Sequence, residues 1–229
     1  MDKKTLFQWY NDANTIIWKR GVLLKIGLLL THEIYQELEK RGHYLGISKT
    51  STVLLHLVFY AAQFKEVTKE ELENELDKIE VSHQQLQVEM SDFILLKYDN
   101  RKMYLLTFRK YLSAYLSYVV NHTNWKSEEK SVFKVVSTTC LSQGAVNQLA
   151  SFREKTGIPN TALLNYAFTL DYSTPSTEWV SKESNRVQQG IQLTKSSSER
   201  VKELSEETGY PRNIVLEQQL IKVLEDIVN

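Results

Sequence analysis

The chain has 229 residues, with 28 basic and 28 acidic side chains and a formal net charge of zero. This balance gives no overall basic field for nucleic acid, and the single cysteine, Cys140, excludes an intramolecular disulfide and fits a reducing cytosol. No apolar run is long enough to span a membrane and no signal-peptide core follows the first residues, so we expect a cytoplasmic protein with no membrane partner.

Residues 1–64 begin with apolar side chains at helical spacing, which predicts an amphipathic helix over the first twenty residues. The segment Leu24–Leu30 is apolar on both faces, which is typical of a strand buried on both sides. Thr31 follows this strand, and two helical runs meet at Gly46. We expect residues 1–64 to serve for pairing and packing.

Residues 65–124 have a different pattern. Thr68 and Glu71 predict a capping box at the start of a short helix. Val81-Ser82 is expected to open a second helix, and two short alternating runs between Leu96 and Leu105 predict a hairpin. The buried side of that second helix would be Leu86, Met90, Phe93 and Ile94.

Helix, turn, helix and hairpin in this order resemble a winged helix. On DNA, the groove-facing side chains would be Ser82, His83, Gln84, Gln85 and Gln87, with Arg101 and Lys102 on the wing. Against DNA contact, residues 66–96 carry nine acidic and two basic side chains, and phosphates repel acidic groups. The segment therefore predicts either DNA contact or the docking of a protein partner.

Residues 132–171 and 188–229 share one layout and are separated by a linker at 172–187. The second of them begins with an alternating strand that ends at Leu193. Thr194 is a helix N-cap residue, Gly209 suits the left-handed end of that helix, and Pro211 suits the start of the next one.

The same layout occurs three times. An apolar residue and a hydroxyl residue are followed fifteen residues after the hydroxyl by glycine: Leu30-Thr31 and Gly46, Leu141-Ser142 and Gly157, Leu193-Thr194 and Gly209. Such repeats usually reflect one structural unit copied along the chain. One strand with two helices cannot pair its own edges, so each unit needs a second copy whose strand pairs antiparallel.

This layout resembles the ribbon-helix-helix DNA-binding family. The resemblance implies a mainly α fold with short β-strands: tandem ribbon-helix-helix units, here beside a winged-helix-like domain. In that family a two-stranded ribbon lies in the major groove, outward side chains read bases, and the start of the second helix holds a phosphate. The base-reading set carried over is Thr138, Cys140, Gln188, Gly190 and Gln192, and the phosphate set is Lys134, Asn160, Thr161, Arg212 and Asn213.

The first and second copies depart from the family pattern, the first because its strand, Leu24–Leu30, is apolar on both faces. Val136 shares the outward parity of the second strand, but Ser137 and Thr139 fall on the face that should be buried. The linker is long enough for the second and third copies to pair within one chain, and the differing strands then predict an asymmetric site. The first copy would pair with its equivalent in another chain, which predicts a homodimer or higher oligomer; exchange of copies between chains is the alternative.

Enzymatic chemistry is not expected. The five histidines lie at no metal-ligand spacing, and the chain has no phosphate-binding loop or nucleophile elbow, so we expect no metal, no cofactor and no catalysis. The predicted function is a sequence-specific double-stranded DNA-binding protein, a repressor-type transcriptional regulator of plasmid or phage origin. The alternative is a protein–protein adaptor or an accessory factor in a relaxosome, partition or replication complex.

Overall fold

The computed structural model describes residues 24–59, 61, 67–91, 93–95, 108–123, 134–168 and 185–228. In these ranges the protein is mainly helical with two short antiparallel sheets, as the sequence predicts. The strands are β1 (Leu24–Leu30), β2 (Gln84–Met90), β3 (Lys134–Ser142) and β4 (Arg186–Thr194). The helices are α1 (His32–Leu45), α2 (Lys49–Val58), α3 (Lys69–Val81), α4 (Phe108–His122), α5 (Gln143–Thr156), α6 (Asn160–Ala167), α7 (Lys195–Thr208) and α8 (Arg212–Val228).

These residues form two compact units. The first takes its described residues from 24–38, 56–123 and 155–157, and the second from 39–55, 134–154 and 158–228. None of the helices in the described ranges is both long and apolar enough to cross a membrane.

The first unit contains the ribbon of β1 and β2, in which Gly27 lies opposite Gln87. Its inner face buries Ile26 and Leu28 of β1 with Val88 and Met90 of β2. Helix α4 packs against both β1 and α3. The Leu29 N–H donates a hydrogen bond to the Ser113 hydroxyl on α4 at 2.9 Å, so α4 is tied to the ribbon backbone.

The prediction of a helix that begins at Val81-Ser82 is wrong, because residues 84–90 form β2. Helical spacing of Leu86, Met90 and Ile94 suggested the helix, but Leu86, Val88 and Met90 also alternate with polar residues. The strand period prevails because β1 offers unpaired backbone hydrogen-bonding groups and an apolar face to cover. The winged-helix arrangement thereby loses its groove-facing helix.

The other sequence predictions meet different outcomes. The capping box at the start of α3 is confirmed, since the Thr68 hydroxyl accepts from the Glu71 N–H and the Glu71 carboxylate accepts from the Thr68 N–H. The amphipathic helix over the first twenty residues, most of the predicted hairpin, the wing residues Arg101 and Lys102, and most of the linker lie outside the described residues.

The first strand finds its partner within the same chain. We expected β1 to pair with its equivalent in another molecule, and that expectation is wrong, since β2 pairs with β1 over its whole length. No described strand therefore requires a second chain, and the argument from an unpaired strand to a homodimer no longer applies.

The second unit contains the ribbon of β3 and β4, paired antiparallel within one chain with Thr138 opposite Gly190. Leu141 and Leu193 are 52 residues apart, and so are Thr138 and Gly190. Equivalent positions of the two copies therefore face each other at the middle of the ribbon, where a local two-fold axis relates the strands.

Hydroxyl groups begin the first helix of each copy in this unit. The Ser142 hydroxyl accepts from the Ala145 N–H, and the Thr194 hydroxyl accepts from the Ser197 N–H, both at 3.2 Å. At the other end of α7, Gly209 has φ of 73°, the left-handed conformation that favours glycine. Local signals thus define these helix ends as the sequence predicts.

Two buried side chains tie the second helices to the ribbon. The sixth residue of α6 is Asn165, whose Oδ1 accepts the Thr194 N–H at 2.8 Å. The sixth residue of α8 is Glu217, whose Oε2 accepts the Ser142 N–H at 3.1 Å and also pairs with Arg186. Each second helix therefore binds the end of the strand that belongs to the other copy.

We predict that Glu217→Ala destabilises the protein more than Asn165→Ala. Glu217 is 1% exposed, and its removal leaves a buried N–H without its acceptor and leaves the Arg186 guanidinium with only its hydrogen bonds to the Cys140 carbonyl. Removing one partner of a largely buried ion pair costs about 3 kcal/mol. Asn165→Ala removes neutral hydrogen bonds, which costs about 1–3 kcal/mol. Urea unfolding measures both, with exposed Glu206→Ala as the control; an equal or smaller loss for Glu217→Ala would contradict the role of the ion pair.

Candidate functional site

The outward face of the β3–β4 ribbon is made of three cross-strand pairs. Val136 lies opposite Gln192, Thr138 opposite Gly190, and Cys140 opposite Gln188. All six residues are exposed. The five residues predicted to read bases therefore lie together on one surface, with Val136 as the sixth member.

The alternation of each strand produces this face. Leu141, Ile191 and Leu193 point to the opposite side and are buried, so neither strand can slip by one residue without exposing them. The departure noted in the second strand is real: Ser137 is exposed, and Val135, on the same inner side, is 37% exposed. The helices thus cover the β4 half of the inner face more completely.

The middle of the outward face is low and open. A Cβ atom built on Gly190 would meet nothing within 4 Å, so packing does not require glycine there. The amide groups of Gln188 and Gln192 make no hydrogen bond to any part of the chain that the structure describes. Unoccupied amides beside a glycine leave room for a flat partner to approach the backbone.

The second helices of this unit begin without side-chain caps. Proline precedes both: the Pro159 carbonyl accepts from Ala162 and Leu163 in α6, and the Pro211 carbonyl accepts from Ile214 and Val215 in α8. Proline has no side-chain acceptor, and the first N–H groups of a helix have no partner within it. Both helix starts therefore present backbone N–H groups and the positive end of the helix dipole.

The predicted phosphate residues lie at or near these helix starts but differ in their surroundings. Arg212 is exposed, whereas the Asn213 side chain donates to the Cys140 carbonyl at 3.3 Å and so supports the ribbon. Asn160 lines a cavity of about 400 Å³ beside Gln189. Thr161 is half-buried in α6, and Lys134 is the first residue of β3, opposite Thr194.

The residues predicted to contact DNA as part of a winged helix lie after the end of α3 and in β2, and not on one helix. Ser82 ends α3, and the His83 ring bonds the Ile79 carbonyl at 3.0 Å. Gln84 and Gln85 belong to β2, and the Gln84 amide bonds the His32 ring at 2.7 Å. They do not share a helical face, so this predicted surface is not formed.

The outward face of the β1–β2 ribbon has a different character. Lys25 and Glu89 form an ion pair across it at 3.2 Å, and the amides of Gln85 and Gln87 lie over Gly27, close to where a Cβ atom would stand. In the second unit, the start of α2 is capped, because the Ser48 hydroxyl accepts the Ser51 N–H at 3.2 Å.

Helix α3 carries an acidic exposed surface. The Thr68 N–H and hydroxyl, and the Tyr118 hydroxyl, lower the pKa of Glu71. The hydrogen bond between the Tyr118 hydroxyl and the Glu71 carboxylate in turn raises the pKa of Tyr118. Val81 at the end of the helix is 87% exposed. The other exposed acidic residues of this helix are Glu70, Glu73, Asp77 and Glu80.

Within the described ranges, no three His, Cys, Asp or Glu side chains are grouped so that they could hold a metal ion. The chain matches no protein-family model, no curated protein and no solved structure. The function is therefore inferred from the geometry and chemistry of this molecule alone.

Sequence reasoning missed two features of the site. The first is β2: its last residue is Met90 and Ser91 follows, an apolar and hydroxyl pair like those at the ends of the other three strands. The second is the pair of buried anchors: Asn165 and Glu217 are 52 residues apart, and both are polar residues inside apolar helical runs. The repeat offset would have aligned these two residues.

Under the DNA-binding function that the sequence predicts, Arg212→Ala should weaken binding about equally for all DNA sequences and reduce the salt dependence of log K by about one counterion. The reason is that Arg212 is exposed at the start of α8, beside unpaired N–H groups, where it would meet a phosphate. Fluorescence anisotropy at several salt concentrations measures the slope. Lys69→Ala, which removes one exposed positive charge from α3, should leave the slope unchanged; equal slopes for Arg212→Ala and the unaltered protein would place the phosphate elsewhere.

Proposed function

We propose that the protein is a sequence-specific double-stranded DNA-binding protein that places the β3–β4 ribbon in the major groove. The observation that carries the proposal is the exposed face of three cross-strand pairs with unoccupied glutamine amides. Its biological role would be that of a cytoplasmic transcriptional repressor of the plasmid and phage type, with ribbon-helix-helix units in tandem.

The dimensions and chemistry of this face suit a groove. The major groove is about 12 Å wide and admits a two-stranded ribbon. From the Val136–Gln192 pair to the Cys140–Gln188 pair the strands rise about 14 Å, at about 3.4 Å per residue. Exposed glutamines on such a surface can pair with adenine through two hydrogen bonds.

The two uncapped helix starts supply the second support. Thr194 and Ser142 cap the first helices of this unit with their own hydroxyls, whereas Pro159 and Pro211 leave the second helices open. Helix N-termini bind phosphate through backbone N–H groups and the helix dipole. Two such sites in one unit, one for each copy, would anchor the ribbon on both sides of the groove.

The first unit is better suited to another task. Its ribbon face carries the ion pair between Lys25 and Glu89, and its α3 surface is acidic. The exposed acidic groups and Val81 favour the second candidate function, a protein–protein adaptor that docks a basic partner on α3. The two functions are compatible in one molecule, as they would be in an accessory factor of a DNA-processing complex.

The proposal predicts that Gln188→Ala together with Gln192→Ala abolishes sequence-specific retention of DNA. Each bidentate contact is worth about 1–3 kcal/mol, so the double variant should bind its best site about thirtyfold more weakly or worse. Selection of bound duplexes from a random pool, followed by anisotropy, measures the loss. The fold should be unaffected because both side chains are exposed.

Gln148→Ala is the matched control, since Gln148 is an exposed glutamine on α5 away from the ribbon face. It should retain both the selected motif and the affinity. Unchanged binding by the double variant would contradict the proposal and favour the adaptor function.

Gly190→Ala should separate folding from binding. A methyl group at this position meets no atom of the protein within 4 Å, so the free energy of unfolding should stay within about 0.5 kcal/mol. On DNA, the same methyl would stand at the centre of the ribbon, where the backbone approaches the bases, and we expect affinity to fall at least tenfold. Thermal unfolding and anisotropy give the two values; a stable variant with full affinity would move the DNA away from this face.

A further inference from the structure

The most unusual feature of the β3–β4 face is an exposed valine directly opposite an exposed glutamine. Val136 is 73% exposed, whereas Leu141, on the inner side of the same strand, is buried. Its partner in the register is Gln192. Directly opposite residues of an antiparallel pair have Cβ atoms about 4.5–5.5 Å apart on the same face. An isopropyl group and a carboxamide are therefore presented side by side to whatever binds there.

We propose that the Val136–Gln192 pair reads one A·T step, a deepening that rests on the DNA-binding function proposed above. Adenine presents N7 as an acceptor and the N6 amino group as a donor in the major groove, which match the Nε2 and Oε1 atoms of one glutamine. Thymine presents a 5-methyl group there, which favours an apolar contact. The two side chains of the pair supply both complements at once.

The opposite end of the ribbon has only half of this chemistry. Gln188 provides a second carboxamide, but its partner Cys140 has no methyl group and buries less apolar surface against a thymine. Adenine should therefore be selected at both ends of the face, whereas the thymine methyl should matter mainly at the Val136 end.

Because of the local two-fold axis, this difference between the two ends of the face predicts the symmetry of the preferred DNA sequence. The axis relates Val136 to Gln188 and Cys140 to Gln192, because equivalent positions lie 52 residues apart. Both amides come from β4 and both small or apolar side chains come from β3, so no outward position repeats across the axis. The preferred duplex is accordingly not a palindrome, and its two ends respond differently to loss of a thymine methyl.

Chemically altered DNA tests this inference atom by atom. After selection of the best duplex from a random pool, each thymine is replaced in turn by uracil, which lacks the methyl, and each adenine by 7-deazaadenine, which lacks N7. We expect one uracil position to weaken binding about three- to fivefold, the value of one buried methyl group. We expect 7-deazaadenine in or beside the same base pair to weaken binding about fivefold or more.

The variants then assign each effect to a side chain. Val136→Ala should bind thymine and uracil duplexes equally, and Gln192→Ala should bind adenine and 7-deazaadenine duplexes equally. Val135→Ala is the matched control, since Val135 lies next in the strand and on the other face; it should keep full sensitivity to uracil. Val136→Thr, which keeps one methyl, should retain part of that sensitivity.

The outcomes distinguish this inference from the function on which it rests. Specific binding that depends on Gln188 and Gln192 but ignores uracil and 7-deazaadenine at every position, or whose uracil sensitivity persists in Val136→Ala, overturns the A·T assignment and leaves DNA binding in place. A palindromic selected motif also overturns it. Failure to retain any duplex specifically removes both proposals together.

Discussion

The register between β3 and β4 is the constraint on which the rest of the second unit depends. Because side chains alternate along a strand, a slip of one residue would bury the polar face and expose Ile191 and Leu193. Asn165 and Glu217 oppose such a slip at the two ends, since each accepts the backbone N–H of the residue that ends the other copy's strand. Those same end residues, Thr194 and Ser142, begin the following helices. Strand pairing, helix capping and helix docking thus converge on the same few backbone groups.

Pairing within one chain frees the two copies from identical sequences. In a symmetric pair of identical chains, any change in one strand appears in both. Here the equivalent anchors have diverged: Glu217 pairs with the Arg186 guanidinium, whereas Asn165 donates to the carbonyls of Gln192 and Leu45 at 3.3 Å. The outward positions have diverged in the same way, with amides on β4 and small or apolar groups on β3. The ribbon therefore needs no association step to form, and it offers an asymmetric surface to its partner.

Local signals made much of this unit predictable. Thr194 caps α7, Gly209 ends it, and α8 begins at Arg212, all from short motifs whose physical basis lies within a few residues. The first unit was less predictable because β2 is defined by a partner strand about sixty residues earlier in the chain. Its apolar residues fit a helix every fourth position and a strand every second, and only contact with β1 decides between the two periods. The buried anchors were missed for a related reason, since a polar residue in an apolar helix face becomes meaningful only when its backbone partner is known.

The two ribbons share one scaffold and differ in a few residues. Both are antiparallel, both have a glycine in the central pair, and in both a side chain at the sixth position of a following helix accepts a strand N–H, with Ser113 in the role of Asn165 and Glu217. They differ where an anion would bind. Ser48 closes the start of α2 with its own hydroxyl, whereas Pro159 and Pro211 have nothing to offer the N–H groups that follow them. A helix start that is not capped by its own chain gains most from a bound phosphate, so the proline-led helices of the second and third copies are better suited to a nucleic-acid backbone than the serine-led helix of the first copy.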